Sequence, residues 1–325
     1  MSIPDLTGTP VLVTGGGGFI GSNLVDELLA RGARVRVLDN FATGRRENLA
    51  HCLERIELIE GDIRDGRTCE ESCRDQRFIF HQAALGSVPR SIEDPATTLD
   101  VNTQGTANLL AAARDAEVER FIFASSSSVY GDTERLPKKE GEEGLTLSPY
   151  ATSKRLCEEL ADTFFRCYGL QWIGLRYFNI YGPRQDPAGP YAAVIPRFFD
   201  AFLANQSPVI FGDGEQSRDF TFVADAARAN LLAAGAKREA CNRAYNVAAG
   251  DRTSVNELAE LIRQSVGSNA TPKHEPPRAG DVKHSLADLE DAASLLQYQT
   301  ETSLRDGLLQ SLPHYRSLPS RTGVR

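Results

Sequence analysis

Short apolar runs alternate with stretches of helical spacing along the first half of the chain. The runs predict strands at residues 11–14, 35–38, 56–59, 78–81, 121–124 and 172–175. Apolar residues that recur every three or four positions predict helices, among them 22–31, 96–116 and 150–168. Strands that alternate with helices in this way indicate an α/β fold, in which helices cover both faces of a doubly wound parallel sheet.

The regular alternation of predicted strands and helices ends after residue 179. A stretch rich in proline and glycine, residues 181–190, precedes shorter elements: helices near 195–203, 223–236 and 254–266, and strands near 209–211 and 244–247. We expect residues 1–179 to form a nucleotide-binding domain. Residues 180–325 are expected to form a smaller α/β lobe that mainly binds the substrate, with some segments returning to the first sheet. The tail after residue 307 has no strong pattern and is expected to fray.

A glycine cluster between the first strand and the first helix is the clearest functional signal. Gly15, Gly18 and Gly21 follow the strand at a G-x-x-G-x-x-G spacing. Glycines let the backbone turn sharply and approach a pyrophosphate, whose charge meets the N-terminus of the helix. The next strand ends at Asp39, near the position expected for a carboxylate that binds ribose hydroxyls. Together these features predict a Rossmann dinucleotide site; the alternative is a bare strand–helix turn with a solvated aspartate.

Composition and charge narrow the choice of partners. The 325 residues include 36 Lys and Arg against 44 Asp and Glu, and the net charge of −8 disfavours a broad basic face for nucleic acid. No apolar run approaches the ~20 residues of a membrane span, and the N-terminus lacks the pattern of a signal peptide. The six cysteines are scattered without a C-x-x-C pair, so we expect a reduced cytoplasmic protein with no disulfide or zinc site.

Two polar stretches are candidates for chemistry. Tyr150 and Lys154 stand four residues apart at the start of a predicted helix, one turn from each other on the same face. An ammonium beside a phenol favours the phenolate, which makes Tyr150 a candidate acid/base. Residues 125–128 are four serines at the end of a strand, where hydroxyls can hydrogen-bond a substrate oxygen. The plain alternatives are a surface Tyr/Lys pair and a serine-rich turn, but both stretches follow a nucleotide motif, which favours catalysis.

Several motifs together resemble those of the extended short-chain dehydrogenase/reductases. They are residues 14–21, 39–40, 61–63 and 81–84, Ser126 with residues 129–131, and the Tyr150/Lys154 pair. Residues 176–179, 212–214, 218–219 and 278–281 narrow the resemblance to nucleotide-sugar enzymes, and among them to the UDP-hexose 4-epimerases. Residues 86–91 and 191–196 are most similar to the bacterial UDP-N-acetylglucosamine 4-epimerases of surface-polysaccharide pathways.

The resemblance implies a role for each matched residue. The implied catalytic residues are Tyr150, Lys154 and Ser126. The implied NAD-binding residues are Gly15, Gly18, Phe19, Ile20, Gly21, Asp39, Asn40, Asp62, Ile63, Gln82, Ala83, Ala84, Asn102, Tyr150, Lys154 and Tyr177. The implied substrate-binding residues are Ser87, Ser126, Ser127, Ser128, Asn179, Gln185, Ala193, Val194, Phe211, Arg218, Arg278, Asp281 and Ser285. The resemblance implies no metal. The enzymes that this sequence resembles are homodimers joined through the helices predicted at 96–116 and 150–168.

The resemblance also implies the reaction. Tyr150, as the phenolate, takes the proton of the carbon-4 hydroxyl of a UDP-sugar while hydride passes to NAD, and Ser126 hydrogen-bonds the carbon-4 oxygen. The resulting 4-keto sugar turns over in the site, tethered by its UDP, and hydride returns to the opposite face. Because no net oxidation occurs, NAD is expected to remain bound between turnovers.

Ser285 bears on the choice of sugar. In the enzymes that this sequence resembles, the position seven residues after Arg278 walls the sugar pocket, and a small residue there leaves room for an N-acetyl group. The expected substrates are therefore UDP-N-acetylglucosamine and UDP-N-acetylgalactosamine or their uronic acids, with UDP-glucose and UDP-galactose as the alternative. Ser285 would also suit the cap of a helix that starts near Leu286.

Other functions of the same fold stay open. Nucleotide-sugar dehydratases and decarboxylases that resemble this sequence carry an acidic residue where Ser128 stands. A net reductase would release its cofactor in every cycle and consume NADH with a sugar. A non-catalytic NAD-binding scaffold would have no need of Ser126, Tyr150 and Lys154 together.

Overall fold

The computed structural model describes residues 3–188, 192–277 and 283–319. Its strands are β1 Pro10–Thr14, β2 Arg34–Asp39, β3 Ile56–Glu60, β4 Phe78–His81, β5 Arg120–Ser126, β6 Trp172–Tyr177, β7 Ile180–Tyr181, β8 Val209–Phe211, β9 Ser217–Arg218, β10 Thr221–Phe222, β11 Arg243–Val247, β12 Thr253–Ser254 and β13 Lys273–Glu275. Its α-helices are α1 Phe19–Ala30, α2 Gly66–Cys73, α3 Val88–Glu93, α4 Pro95–Leu99, α5 Gly105–Asp115, α6 Pro149–Tyr168, α7 Val194–Leu203, α8 Val223–Gly235, α9 Val255–Val266 and α10 Leu304–Ser317. Within these described ranges, the helices lack the combination of length and apolar character needed to cross a bilayer.

Parallel strands form the centre of the molecule. Among the described residues, seven of them make one sheet in the order β11-β6-β5-β4-β1-β2-β3. Val13 of β1, for example, lies between Val37 of β2 and Phe80 of β4. The strand order reverses between β1 and β4, and the ligand crevice of an open sheet lies at the carboxyl ends of the strands at such a point. The predicted doubly wound parallel sheet is confirmed.

Helices bury the apolar residues of both sheet faces. Leu24 and Leu28 of α1 belong to the core on one face, and Leu109 and Leu110 of α5 belong to the core on the other. All four side chains are fully buried, and burial of a leucine stabilises a fold by about 1.5–3 kcal/mol. The helical spacing seen in the sequence therefore reports contact with the sheet.

Two elements expected in the smaller lobe belong to the main sheet. β11 pairs in parallel with β6, with Arg243 opposite Ile173 and Val247 opposite Tyr177. Helix α8 packs against α1 and so covers one face of the sheet. The smaller lobe is built from α7, α9 and the paired strands β8 with β13 and β9 with β12. Helical spacing predicted α8 correctly, but it does not say which surface a helix covers.

The expectation that the tail frays after residue 307 is wrong as far as residue 317. Helix α10 begins where the Ser303 hydroxyl accepts a hydrogen bond from the Asp306 N–H, at 3.1 Å. Leu308, Leu312 and Tyr315 are buried along one face, and the Tyr315 ring stacks on Phe199 with 4.5 Å between ring centroids. The spacing of these three residues was the signal that the sequence interpretation overlooked.

Candidate active site

Two cavities open beside the carboxyl ends of the sheet strands. The first, called here the glycine-loop cavity, has a volume of about 610 Å³ and extends from Asp39 and Asp62 to Tyr150 and Tyr177. The second, called here the lobe cavity, has a volume of about 510 Å³ and is lined by residues of α7, β8 and the segment after β6. Asn179, Ile180 and Gln185 line both cavities. The two cavities therefore lie side by side and meet at this segment.

The β1–α1 loop approaches the neighbouring chain so closely that two positions require glycine. Gly15 has a φ of +70°, and a Cβ there would lie 2.6 Å from the backbone N of Ala83. A Cβ at Gly21 would lie 2.1 Å from the carbonyl oxygen of Gly15. Helix α1 follows at Phe19 and has no acidic residue in its first turn. The positive end of its dipole is thus available to a pyrophosphate.

Asp39 lies at the end of β2 and is held by backbone donors. Its Oδ2 accepts a hydrogen bond from the Gly17 N–H at 2.8 Å, and its Oδ1 accepts one from the Phe41 N–H at 2.7 Å. Burial raises the pKa of this carboxyl, while both N–H donors act in the opposite direction. Each oxygen keeps a further lone pair, which suits the acceptance of a ribose hydroxyl.

Helix α6 carries the Tyr/Lys pair into the glycine-loop cavity. The helix begins after Ser148, whose hydroxyl accepts a hydrogen bond from the Ala151 N–H at 3.1 Å. Tyr150 and Lys154 both line the cavity. Lys154 is only 4% exposed, and its ammonium donates to the carbonyl oxygen of Ala124 at 2.8 Å. This contact fixes Lys154 against the end of β5, the strand that ends in the serine turn.

Ser126 is the predicted serine that reaches this cavity. Its Oγ accepts hydrogen bonds from the N–H of Ser128 at 3.1 Å and from the Ser128 hydroxyl at 2.9 Å. Among the described residues that line the two cavities, Ser125 and Ser126 are present, whereas Ser127 and Ser128 are not. Ser128 therefore contacts the cavity residue Ser126, and the substrate contacts implied for Ser127 and Ser128 stay predictions.

Asn102 lies behind the cavity wall. Its Oδ1 accepts from the Leu85 N–H at 2.8 Å, and its Nδ2 donates to the Leu85 carbonyl at 3.2 Å and to the Ser153 hydroxyl at 3.0 Å. Leu85 lines the glycine-loop cavity, while Asn102 is not among the described lining residues. Asn102 thus holds the wall residue Leu85, and the direct contact with NAD that the resemblance implies stays a prediction.

His81 joins the strand ends beside the glycine loop. Its Nδ1 lies 2.7 Å from the Thr14 hydroxyl, and its Nε2 lies 2.9 Å from the Thr106 hydroxyl. Burial, with a smaller contribution from the charge of Lys154, lowers the pKa of His81 to about 3. The imidazole is therefore neutral near pH 7 and acts as a link between β1, β4 and α5.

The lobe cavity collects most of the predicted substrate residues. They are Ser87, Asn179, Gln185, Ala193, Val194, Phe211 and Arg218. The Gln185 Nε2 donates to the Ile180 carbonyl at 3.0 Å, and its Oε1 is buried without a hydrogen-bond partner among the described residues. An unsatisfied buried acceptor at the junction of the cavities suits a ligand hydroxyl. Arg278 and Asp281 lie outside the described residues.

Ser285 lies near the lobe cavity but is not among the described residues that line it. Its N–H donates to the carbonyl oxygen of Ser217 at 3.1 Å, next to Arg218, which lines the cavity. Its proposed effect on sugar choice stays a prediction. The alternative that Ser285 caps a helix is wrong, because the backbone between Ser285 and Leu289 is not helical.

Some residues that line the two cavities were not identified from the sequence. Gly44 lines the glycine-loop cavity, and a Cβ there would lie 2.9 Å from the backbone of Gly17. A glycine five residues after Asp39 was the available signal. Arg197, which lines the lobe cavity, stands one helical turn after the predicted Val194 and was detectable by that spacing.

These residues fit NAD. Gly15 and Gly21 let the backbone pack closely beside the cavity at the start of α1, where a pyrophosphate would be held. Asp39 offers acceptors for a ribose, and Tyr150 and Lys154 lie toward the other end of the cavity. All the residues assigned to NAD by resemblance line this cavity except Asn102. The cavity thus matches an extended dinucleotide, with its reactive end toward the lobe cavity.

Comparison with known proteins agrees with this geometry. The model of the NAD dependent epimerase/dehydratase family matches residues 11–248. A putative UDP-glucose 4-epimerase from Methanocaldococcus jannaschii is 41% identical over 300 residues, which are 92% of this chain and 95% of that protein. A UDP-N-acetyl-alpha-D-glucosaminuronate decarboxylase from Bacillus cytotoxicus is 33% identical over 318 residues, covering 94% of this chain and 98% of that protein.

Among solved structures, a similar one is the UDP-N-acetylglucosamine 4-epimerase from Methanobrevibacter ruminantium M1 in complex with UDP-N-acetylmuramic acid. It is 40% identical, has a TM-score of 0.92, and the match covers 96% of this chain and 99% of that one. Identity at this level over nearly the whole length of both chains shows a common family. The chain belongs to the NAD-dependent epimerase/dehydratase family and within it to the UDP-hexose 4-epimerases, with NAD as its cofactor.

Proposed function

We propose that this chain interconverts UDP-N-acetylglucosamine and UDP-N-acetylgalactosamine, or the corresponding uronic acids, at carbon 4. The observation that carries the proposal is the small side chain of Ser285, on a segment bonded to Ser217 at the edge of the lobe cavity. Because Ser217 precedes Arg218, which lines the lobe cavity, we infer that a large side chain at position 285 would reduce the room for an acetamido group, whereas a serine leaves that room. The similarity to the UDP-N-acetylglucosamine 4-epimerase from Methanobrevibacter ruminantium also supports an N-acetylated sugar.

The serine turn and the Tyr/Lys pair have separate roles in this reaction. NAD, when bound, accepts and returns the hydride at carbon 4. Tyr150 takes the proton of the carbon-4 hydroxyl and later gives it back, and the ammonium of Lys154 stabilises the phenolate form. Ser126 already accepts two hydrogen bonds from Ser128, so its own hydroxyl proton is directed to another acceptor. We assign that acceptor as the carbon-4 oxygen of the sugar.

The absence of a carboxylate in the serine turn argues against elimination or decarboxylation. Residues 125–128 are all serines, and Ser128 is committed to Ser126 by two hydrogen bonds. Chemistry beyond carbon 4 needs a further acid or base, which this turn does not offer. UDP-glucose and UDP-galactose are the second candidate pair, favoured by the 41% identity to the putative UDP-glucose 4-epimerase from Methanocaldococcus jannaschii.

A panel of UDP-sugars tests the proposal. Purified protein is incubated separately with the glucose, N-acetylglucosamine and N-acetylglucosaminuronic acid forms, and the products are identified by NMR. We expect 4-epimers of the N-acetylated sugars without stoichiometric NADH consumption. Turnover of UDP-glucose alone would refute the assignment of the sugar, and failure with every UDP-sugar would favour a non-catalytic scaffold.

The variant Ser285→Tyr tests directly whether the side chain at this position limits the size of the sugar. We expect at least a tenfold loss of activity on N-acetylated sugars, because a tyrosine fills volume in a packed site, while UDP-glucose and UDP-galactose are still turned over. The matched control is Ser317→Tyr, an equal change at an exposed position on α10. Parental rates of Ser285→Tyr on N-acetylated sugars would remove the main support for this choice of substrate.

Assembly and compartment complete the proposal. We infer a homodimer joined through the α4–α5 and α6 helices, where Leu99 and Tyr168 are 36% and 55% exposed. Sedimentation at micromolar concentration is expected to show a dimer that Tyr168→Asp weakens, and a monomer would contradict it. We place the enzyme in the cytoplasm, because all six cysteines are free thiols.

A further inference from the structure

A closed ring of hydrogen bonds lies behind the reactive end of the glycine-loop cavity. It joins Gln82 at the end of β4, Tyr177 at the end of β6 and Asn230 in the middle of α8. The Asn230 Nδ2 donates to the Tyr177 hydroxyl at 2.7 Å, the Tyr177 hydroxyl donates to Gln82 Oε1 at 3.1 Å, and Gln82 Nε2 donates to Asn230 Oδ1 at 3.0 Å. Three separate elements of the fold thus meet in one polar network.

The positions of Gln82 and Tyr177 in the sheet place this ring at the end of the cavity expected to hold the nicotinamide. Gln82 and Tyr177 line the cavity on the side of β4 and β6, together with Tyr150 and Ser126. Asp39 lies at the opposite side, at the end of β2. Asn230 is fully buried and is not among the described residues that line either cavity. It acts on the cavity only through the two residues that it holds.

The direction of every proton in the ring follows from one backbone carbonyl. Asn230 Nδ2 also donates to the Ala226 carbonyl at 2.8 Å, and a carbonyl can only accept. This contact orients the Asn230 amide, so its Oδ1 must face Gln82 and must receive the Gln82 N–H. The Gln82 Oε1 is then left to accept from Tyr177. Asn230 therefore determines which atoms Gln82 and Tyr177 present.

Burial keeps this arrangement in one state. It raises the pKa of the Tyr177 hydroxyl, which therefore stays protonated and keeps one donor and one acceptor in the ring. Tyr177 is 8% exposed, and all the polar atoms of Asn230 are used. Loss of the Asn230 amide would leave a buried hydroxyl and a buried amide short of a partner, so both side chains would be free to reorient.

We propose that Asn230 is a positioning residue for the nicotinamide end of NAD, which it serves by holding Gln82 and Tyr177 in the orientation that the bound cofactor meets. The proposal rests on NAD being the cofactor and does not depend on which sugar is turned over. A purely structural role, in which Asn230 only ties α8 to the sheet, predicts a different pattern of binding.

ADP-ribose separates the two roles, because it has the adenosine, pyrophosphate and second ribose of NAD but lacks the nicotinamide. The affinities of cofactor-stripped protein for NAD and for ADP-ribose are measured by calorimetry. Asn230→Leu, which is close in size and cannot hydrogen-bond, is expected to weaken NAD binding at least tenfold and ADP-ribose binding less than twofold. Equal weakening of both ligands, or weakening of neither, would overturn the proposal.

Two further variants complete the design. If Asn230→Leu does not give folded protein, Asn230→Asp is used in the same assay, because it keeps the acceptor for Gln82 and loses the amide donor to Tyr177. The same selective weakening of NAD binding is expected. The matched control is Tyr245→Phe, which removes a buried hydroxyl that donates to the Ala240 carbonyl at 2.7 Å and does not belong to the described lining of either cavity. It is expected to leave both affinities unchanged.

A double variant tests whether Asn230 acts through Tyr177. Combined with Tyr177→Phe, Asn230→Leu is expected to add less than twofold to the loss of NAD affinity that Tyr177→Phe causes alone. Fully additive losses would show that Asn230 does not work through the ring and would refute the proposed route.

Discussion

Gly15 and Gly8 provide a matched test of the closest backbone approach in the cofactor site. Both have left-handed backbone conformations, with φ of +70° and +69°. A Cβ at Gly8 would meet no atom within 4 Å, whereas a Cβ at Gly15 would lie 2.6 Å from the N of Ala83. Changing either residue to alanine therefore adds the same backbone strain, and only Gly15→Ala adds a clash with the wall of the glycine-loop cavity.

The magnitudes follow from these two contributions. Left-handed backbone costs an alanine about 1–2 kcal/mol, and an overpacked contact that moves a wall costs about 1–3 kcal/mol more. For a chain of 325 residues, an unfolding entropy of about 2 cal/mol/K per residue converts 1 kcal/mol into about 1.5 °C. Gly8→Ala is expected to lower the Tm by about 2–3 °C, and Gly15→Ala by about 3–8 °C.

Cofactor affinity separates the two variants more sharply than stability. Since the clash displaces Ala83, which lines the glycine-loop cavity, Gly15→Ala is expected to bind NAD at least about tenfold more weakly, and Gly8→Ala equally to the parent. Thermal melts of cofactor-stripped protein and calorimetry with NAD measure both effects. Equal melting shifts together with equal NAD affinities would refute the reasoning that Gly15 is needed for close approach.

Three other predictions follow from the site. A 2′-phosphate would meet the Asp39 carboxylate, so NADP is expected to bind stripped protein at least ~10²-fold more weakly than NAD, and equal affinities by calorimetry would contradict this. Tyr150→Phe is expected to fold and bind NAD while turnover falls ~10²–10⁴-fold, and near-normal turnover would reassign the base. Burial lowers the pKa of His81 to about 3 in the folded protein, from about 6.5 in the unfolded chain, so the stability that the neutral imidazole contributes is complete above pH 6.5 and is lost as the pH falls toward 3. Between pH 7 and pH 4.5 the parent should lose about 2–3 kcal/mol more unfolding free energy than His81→Gln, and a constant difference would disprove this.

Local patterns predicted the first half of the fold because each of its elements carries its own periodicity. The six strands expected before residue 179 all lie in the sheet, and α6 begins within one residue of the expected position. The second half was less predictable, since periodicity identifies a buried face without naming the surface that buries it. β11 and α8 therefore appeared to belong to the smaller lobe, and α10 escaped notice although Leu308, Leu312 and Tyr315 are spaced for one face.

Site residues also divide into those with a local sequence signal and those that depend on contacts between distant segments. The glycines, Asp39 and the Tyr/Lys pair were found because their chemistry depends on spacing within one turn or one strand–helix unit. The contact of Asn102 with the wall residue Leu85 and the contact of Asn230 with Tyr177 were not foreseen, because both join residues far apart in the sequence. A side chain that works through another residue has no local motif, so its role becomes visible only with the fold.

The junction of the two cavities is the part of the site on which 4-epimerisation depends most. A sugar must present both faces of carbon 4 to one fixed cofactor, so its nucleotide has to be held at a distance while the ring turns. Asn179 and Gln185 stand at that junction, and both are tied to neighbouring backbone, through the Asp219 carbonyl at 3.1 Å and the Ile180 carbonyl at 3.0 Å. The short pairing of β7 with β10 fixes the segment between them. If the proposed reaction places the nucleotide in the lobe cavity and NAD in the glycine-loop cavity, these contacts hold the segment between them in place while the sugar turns.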